Sequence, residues 1–125
     1  MIRKLDGILL SSANSTKLAD FYKNVVDLKC TNEWEMGDKG ETGYEFASIQ
    51  LFINPHSKVK GVSKDPSRYM LNIEVDDIEK EVKRLKKAKV KIVQDIYHVE
   101  GYGLIATFKD IDGNYFQFVQ VRASK

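Results

Sequence analysis

The chain has 125 residues, 42% of them hydrophobic and 30% charged, with a formal net charge of +2. That length suits one domain whose core needs no staples, and the composition is ordinary for a soluble globular protein. Cys30 is the only cysteine, which excludes an intrachain disulfide and a cysteine metal cluster and fits a cytoplasmic location. No apolar run approaches the roughly 18 residues of a membrane span. The run Ile8-Leu9-Leu10 behind Arg3 and Lys4 is too short for a signal peptide, so no membrane association is expected.

Residues 5–12 read as a strand, and Asn14 or Ser15 can cap the helix that follows. Leu18, Phe21, Tyr22, Val25 and Val26 recur at helical spacing and predict one buried stripe. Residues 28–36 return as a strand, and 37–43 form a polar turn containing Gly40. Residues 44–54 supply one long or two short strands, with Pro55 as a stop. The stretch from Pro55 to Pro66 reads as a linker.

The order then repeats. Residues 69–75 predict a strand, and Asp76 or Asp77 caps a helix with the stripe Ile78, Val82, Leu85 and Ala88. Residues 90–97, 102–108 and 115–121 predict three more strands. The last two are joined by Asp110-Ile111-Asp112-Gly113-Asn114, where Gly and Asn tolerate positive φ in a tight hairpin turn. Each half is therefore strand–helix–strand–strand–strand, with module one at 1–54, a linker at 55–67 and module two at 68–125. The expected class is α+β. Two βαβββ modules form a curved mixed sheet, with helices on the outer face and a concave cleft on the other.

Alternation assigns faces. Leu71, Ile73 and Val75 oppose Met70, Asn72 and Glu74, and Phe116 and Phe118 oppose Tyr115, Gln117 and Val119. The apolar faces should lie under the helices and the mixed faces should line the cleft. The basic run Lys80, Lys83, Arg84, Lys86, Lys87, Lys89 and Lys91 is interleaved with Glu79 and Glu81 and holds no stacking aromatics. That pattern is a solvated helix face and argues against a nucleic-acid partner.

The segment Leu18-Ala19-Asp20-Phe21-Tyr22-Lys23-Asn24-Val25-Val26-Asp27-Leu28 resembles the first-helix signature of the vicinal oxygen chelate superfamily. That superfamily includes glyoxalases, bleomycin-resistance proteins, fosfomycin-modifying enzymes and extradiol dioxygenases. The turn Asp110–Asn114 and the run Glu74-Val75-Asp76-Asp77-Ile78 are similar to its later motifs, with Ile111 where proline is usual. The resemblance implies paired βαβββ modules and a homodimer, with modules pairing within one chain or across two. It also implies one divalent metal held by His or Glu on the first and last strands of the modules. Carried onto this sequence, those positions are Gly7, Gln50, Met70 and Gln117. Glycine offers no ligand atom, a thioether suits Cu(I), and a neutral amide binds cations far more weakly than a carboxylate. The expectation is therefore no metal and no cofactor.

Glu74, His98 and Glu100 are the residues from which an acid–base or metal site would have to be rebuilt. His56, beside Pro55, reads as exposed. The cleft floor is expected from Gly7, Gln50, Met70, Asn72, Tyr115 and Gln117, and its aromatic walls from Trp34, Tyr44, Phe46, Tyr97 and Tyr102. Gly101 and Gly103 would let a loop move over it. The leading reading is a binding protein for a small aromatic or amphipathic molecule. The alternatives are a metal-dependent glyoxalase-like lyase, transferase or dioxygenase with an atypical ligand set, and an interaction module with a vestigial cleft.

Overall fold

A computed structural model describes residues 1–36 and 41–121, so most of the turn expected at 37–43 lies outside the described residues. The chain divides into two compact units at Gly61/Val62, each an α+β βαβββ module.

In the first unit the strands are β1 (Ile8–Ser12), β2 (Cys30–Met36), β3 (Glu41–Phe46) and β4 (Leu51–Pro55). They form a mixed sheet in the order β1-β4-β3-β2, with β1 parallel to β4 and the other pairs antiparallel. Residues 44–54 thus hold parts of two strands. Helix α1 (Ser15–Asp20) is capped by Asn14, whose side chain accepts from the Lys17 N–H. It runs into a π-helical turn, Phe21–Val26, closed by Asp27 at φ 74° and by the Leu28 N–H on the Tyr22 carbonyl. The wider turn shifts the buried stripe. Leu18, Ala19, Tyr22 and Val26 are buried, while Phe21 and Val25 are only half-buried.

In the second unit the strands are β5 (Leu71–Glu74), β6 (Lys91–Val99), β7 (Gly103–Lys109) and β8 (Tyr115–Gln120). Their order, β5-β8-β7-β6, repeats that of the first unit, with β5 parallel to β8. Helix α2 (Ile78–Lys87) is capped by Asp77, which accepts from the Lys80 N–H, and its first amide donates to Gln120 Oε1 at 2.8 Å. Ile78, Val82 and Leu85 are fully covered. Ala88 is exposed because the helix ends at Lys87, and Lys89 turns the chain at φ 64° to bring Val90 into the core instead. Under α2 lie Phe108, Phe116 and Phe118, with ring centroids 5.4 to 6.0 Å apart and almost no exposed surface. Removing one such ring costs about 3–5 kcal/mol.

The β7–β8 connection is wider than a two-residue hairpin. The Asp110 N–H donates to the Asn114 carbonyl at 2.8 Å, and the buried Asp110 carboxylate accepts from the amides of Asp112 and Asn114. Only Gly113 takes positive φ, at 78°. Asn114 contributes through its side chain, which donates to both oxygens of Asp110. The Asp112 carbonyl in turn accepts from Ser63 at 2.8 Å, tying the start of this unit to the turn.

Candidate functional site

The second sheet has one face under α2 and one face without a helix. Register sets what the open face carries, because side chains in line across neighbouring strands share a face. Gln94 pairs with Thr107, Thr107 with Gln117, and Gln117 with Asn72. A single row of amides and one hydroxyl therefore crosses all four strands. The next row toward the Val99 end of β6 is Tyr97, Ile105, Val119 and Glu74, and the row on the other side runs Lys91, Lys109 and Tyr115.

A cavity of about 460 Å³ opens on this face. Its polar lining comes from Ser67, Gln94, Thr107 and Gln117, and its apolar and aromatic lining from Met70, Val93, Tyr97 and Tyr115. No carboxylate, imidazole or thiol is among these side chains. Small-molecule sites are commonly clefts of roughly 300–1,000 Å³ with apolar walls and a few placed polar groups. Gln117 is buried, and its Nε2 donates to Thr107 Oγ1 at 2.9 Å, which fixes the amide and leaves Oε1 to accept from whatever enters.

Of the residues expected at the cleft, Met70, Tyr97, Tyr115 and Gln117 come together here. Asn72 continues the amide row onto edge strand β5, outside the lining. Tyr102 sits in the β6–β7 turn, 41% exposed and away from the lining. At Gly103 an added side chain would run into the Gln120 carbonyl, so glycine allows close packing against β8. Ser67, Val93, Gln94 and Thr107 join the lining in addition to the expected residues. Strand alternation on β7 could have found Thr107, whereas the β6 irregularities between Ile92 and Tyr97 hide Gln94 from any simple period.

The two catalytic candidates, Glu74 and His98, do not converge. Glu74 lies on edge strand β5 and His98 on the opposite edge strand, β6. Tyr97 faces the cavity, so the next residue, His98, points to the α2 side, opposite Leu104. His56 is exposed and accepts a backbone N–H from Lys58 at 3.1 Å through Nδ1. Among the described residues no three His, Cys, Asp or Glu side chains gather as a metal-binding group.

In the first unit, Trp34 lies on the open face, edge-on to Phe52 with centroids 6.1 Å apart. Gln50 donates to Glu45 Oε2 at 3.3 Å. Tyr44 and Phe46 face the other way and correct the expected walls. Both are buried under α1, and the Tyr44 hydroxyl bonds Thr16 Oγ1 at 2.8 Å. Gly7 lies against Gln50 and Phe52: an added Cβ would fall 2.5 Å from the Gln50 carbonyl oxygen and 2.7 Å from the Phe52 ring. Gly43 likewise makes room for Trp34, Met36 and Asn54.

Helix α2 presents its cations to solvent, as expected. Arg84 pairs with Glu81 at 2.7 Å and Lys86 with Asp95 at 3.0 Å. Among the described residues no helix is long and apolar enough to cross a membrane.

Comparison with solved structures places the fold among known ones. An antibiotic-binding protein from Streptomyces sp. CB03234, TnmS3, aligns with a TM-score of 0.74 at 20% identity, covering 97% of this chain and 98% of that one. The trypanothione-dependent glyoxalase I of Leishmania major aligns with a TM-score of 0.74 at 19% identity, covering 95% and 87%. The fosfomycin resistance protein FosX of Listeria monocytogenes aligns with a TM-score of 0.69 at 17% identity, covering 96% and 94%. At these identities the likeness concerns the fold. No curated protein matches the chain significantly. The family model of the glyoxalase/bleomycin resistance protein/dioxygenase superfamily matches residues 4–118, and the chain belongs to that superfamily.

Proposed function

We propose that the protein binds a small aromatic or amphipathic molecule in the cavity of its second unit, without a metal. The observation that carries this reading is the lining itself: the neutral amides of Gln94 and Gln117 and the Thr107 hydroxyl in one row, flanked by Tyr97, Tyr115 and Met70. Aromatic walls supply area at low entropic cost, and the fixed Gln117 amide supplies orientation.

The donor set supports the metal-free part. At the positions where the superfamily's enzymes carry His or Glu, Gly7 has no donor atom and Met70 offers a thioether. Gln50 and Gln117 offer only neutral amide oxygens, their amide nitrogens donating to Glu45 and Thr107. These residues do not fit a hard divalent cation, which needs charged oxygen or imidazole ligands to offset its dehydration. The antibiotic-binding neighbour, whose fold is similar, agrees with a binding role.

The test joins metal analysis of the native protein to thermal-shift titrations with Mn, Ni, Zn, Fe and Mg, and to fluorescence titration with N-phenyl-1-naphthylamine, a neutral aromatic probe. The expected result is no stoichiometric metal, no metal-induced shift, and saturable binding of one probe per chain that Tyr115→Ala weakens. One tightly bound divalent metal per chain overturns the reading.

A further inference from the structure

A pair of like charges stands beside the cavity. Lys91 lies directly opposite Lys109 in the β6–β7 register, and Lys109 lies opposite Tyr115 in the β7–β8 register. Like charges facing each other on neighbouring strands repel and cost stability. Among the described residues neither lysine has an ion-pair partner. The nearest acid in sequence, Asp110, is turned away into its own loop, where its carboxylate accepts from Asp112 and Asn114. Lys109 Nζ instead sits 5.8 Å from the centroid of the Tyr115 ring, a cation–π contact. That same ring lines the cavity, so the ammonium stands beside one of its walls without itself lining it.

We propose that the ligand is an aromatic anion, its ring against Tyr115 and Met70 and its sulfonate, carboxylate or phosphate group received at the rim by Lys91 and Lys109. The inference rests on the cavity being the binding site. Its chemistry is a division of labour along the face. The row Gln94, Thr107, Gln117 and Asn72 is neutral and cannot balance a full charge, whereas the adjacent row presents two cations with no counter-charge. An anion placed there relieves the repulsion between the lysines and gains two charge-assisted contacts.

Two fluorescent probes with one aromatic framework separate this from the parent reading: 8-anilino-1-naphthalenesulfonate, which is anionic, and N-phenyl-1-naphthylamine, which is neutral. The sulfonate should bind about fivefold tighter or more at low salt, a preference that fades toward about 0.5 M salt. Lys109→Gln and Lys91→Gln should each reduce that preference while leaving the neutral probe's affinity within about twofold. Lys83→Gln on α2 should leave both affinities unchanged. Equal binding of the two probes, or a preference that survives the double substitution, overturns the anion subsite and leaves the cavity reading standing. If neither probe binds, both fall.

Discussion

Gln117 and Thr107 face each other across the β7–β8 pair, and the amide Nε2 of one donates to the hydroxyl of the other at 2.9 Å. Both side chains are buried, and both line the cavity. The bond selects which end of the amide the cavity sees. Thr107→Val keeps the shape and removes the acceptor. It should cost about 1 kcal/mol of stability, read by urea denaturation, and weaken probe binding. Thr107→Ser, which keeps the hydroxyl, should restore most of both.

Asp110 organises the β7–β8 turn through bonds to Asp112 and to the backbone and side chain of Asn114. Asp110→Ala strands those donors in a half-buried loop. A loss of about 2–3 kcal/mol is expected from chemical denaturation, with Asp110→Asn losing less because one acceptor oxygen remains.

Gly7, just before β1, is the position onto which the resemblance carries the superfamily's first-strand histidine. Gly7→His adds a Cβ into the Gln50 carbonyl and the Phe52 ring, so something must shift. The variant should lose about 1–3 kcal/mol of stability and gain no affinity for Ni or Mn, as followed by thermal shift and calorimetric titration. Tight metal binding by this variant would overturn that expectation.

Gly43 lies under Trp34, with Met36 Sδ and Asn54 Oδ1 2.5 and 2.7 Å from where its Cβ would be. Gly43→Ala should therefore cost about 1–3 kcal/mol and change the Trp34 fluorescence, because the neighbouring side chains must move.

The Asp95 carboxyl is held below its usual range, first by the Ile96 N–H and then by Lys86. A carboxyl lowered on folding stabilises the native state above its unfolded pKa, and that contribution disappears as pH falls through its folded pKa. Lys86→Gln should raise the Asp95 pKa only part of the way, since the larger cause is retained. An NMR pH titration of the Asp95 carboxyl reads this directly.

Much of the fold is legible in the residues. Asn14 and Asp77 announce the helix starts by their capping chemistry, and both do cap. The β8 alternation separates Phe116 and Phe118 from Tyr115 and Gln117, because one face is strictly aromatic and apolar and the other mixed. That contrast made Tyr115 and Gln117 readable as open-face residues. On β3 the contrast fails: Tyr44 and Phe46 share their face with Thr42, and the other face carries Gly43 and Glu45. An aromatic there suits a core as well as a cavity wall, and only packing against α1 decides.

Chain order, caps, the two-fold repeat of modules and the uncharged character of the expected ligand positions are local properties, and local chemistry was enough to determine them. The neutral row through Gln94, Thr107, Gln117 and Asn72 is not local. It exists because β6, β7, β8 and β5 align in one register, with irregularities in β6 that no periodic pattern announces. The same holds for Lys91 and Lys109, eighteen positions apart in sequence and face to face in the sheet. A strand shifted by one residue turns each of these side chains to the opposite face, and which shift occurs is decided by the packing of Phe108, Phe116 and Phe118 under α2.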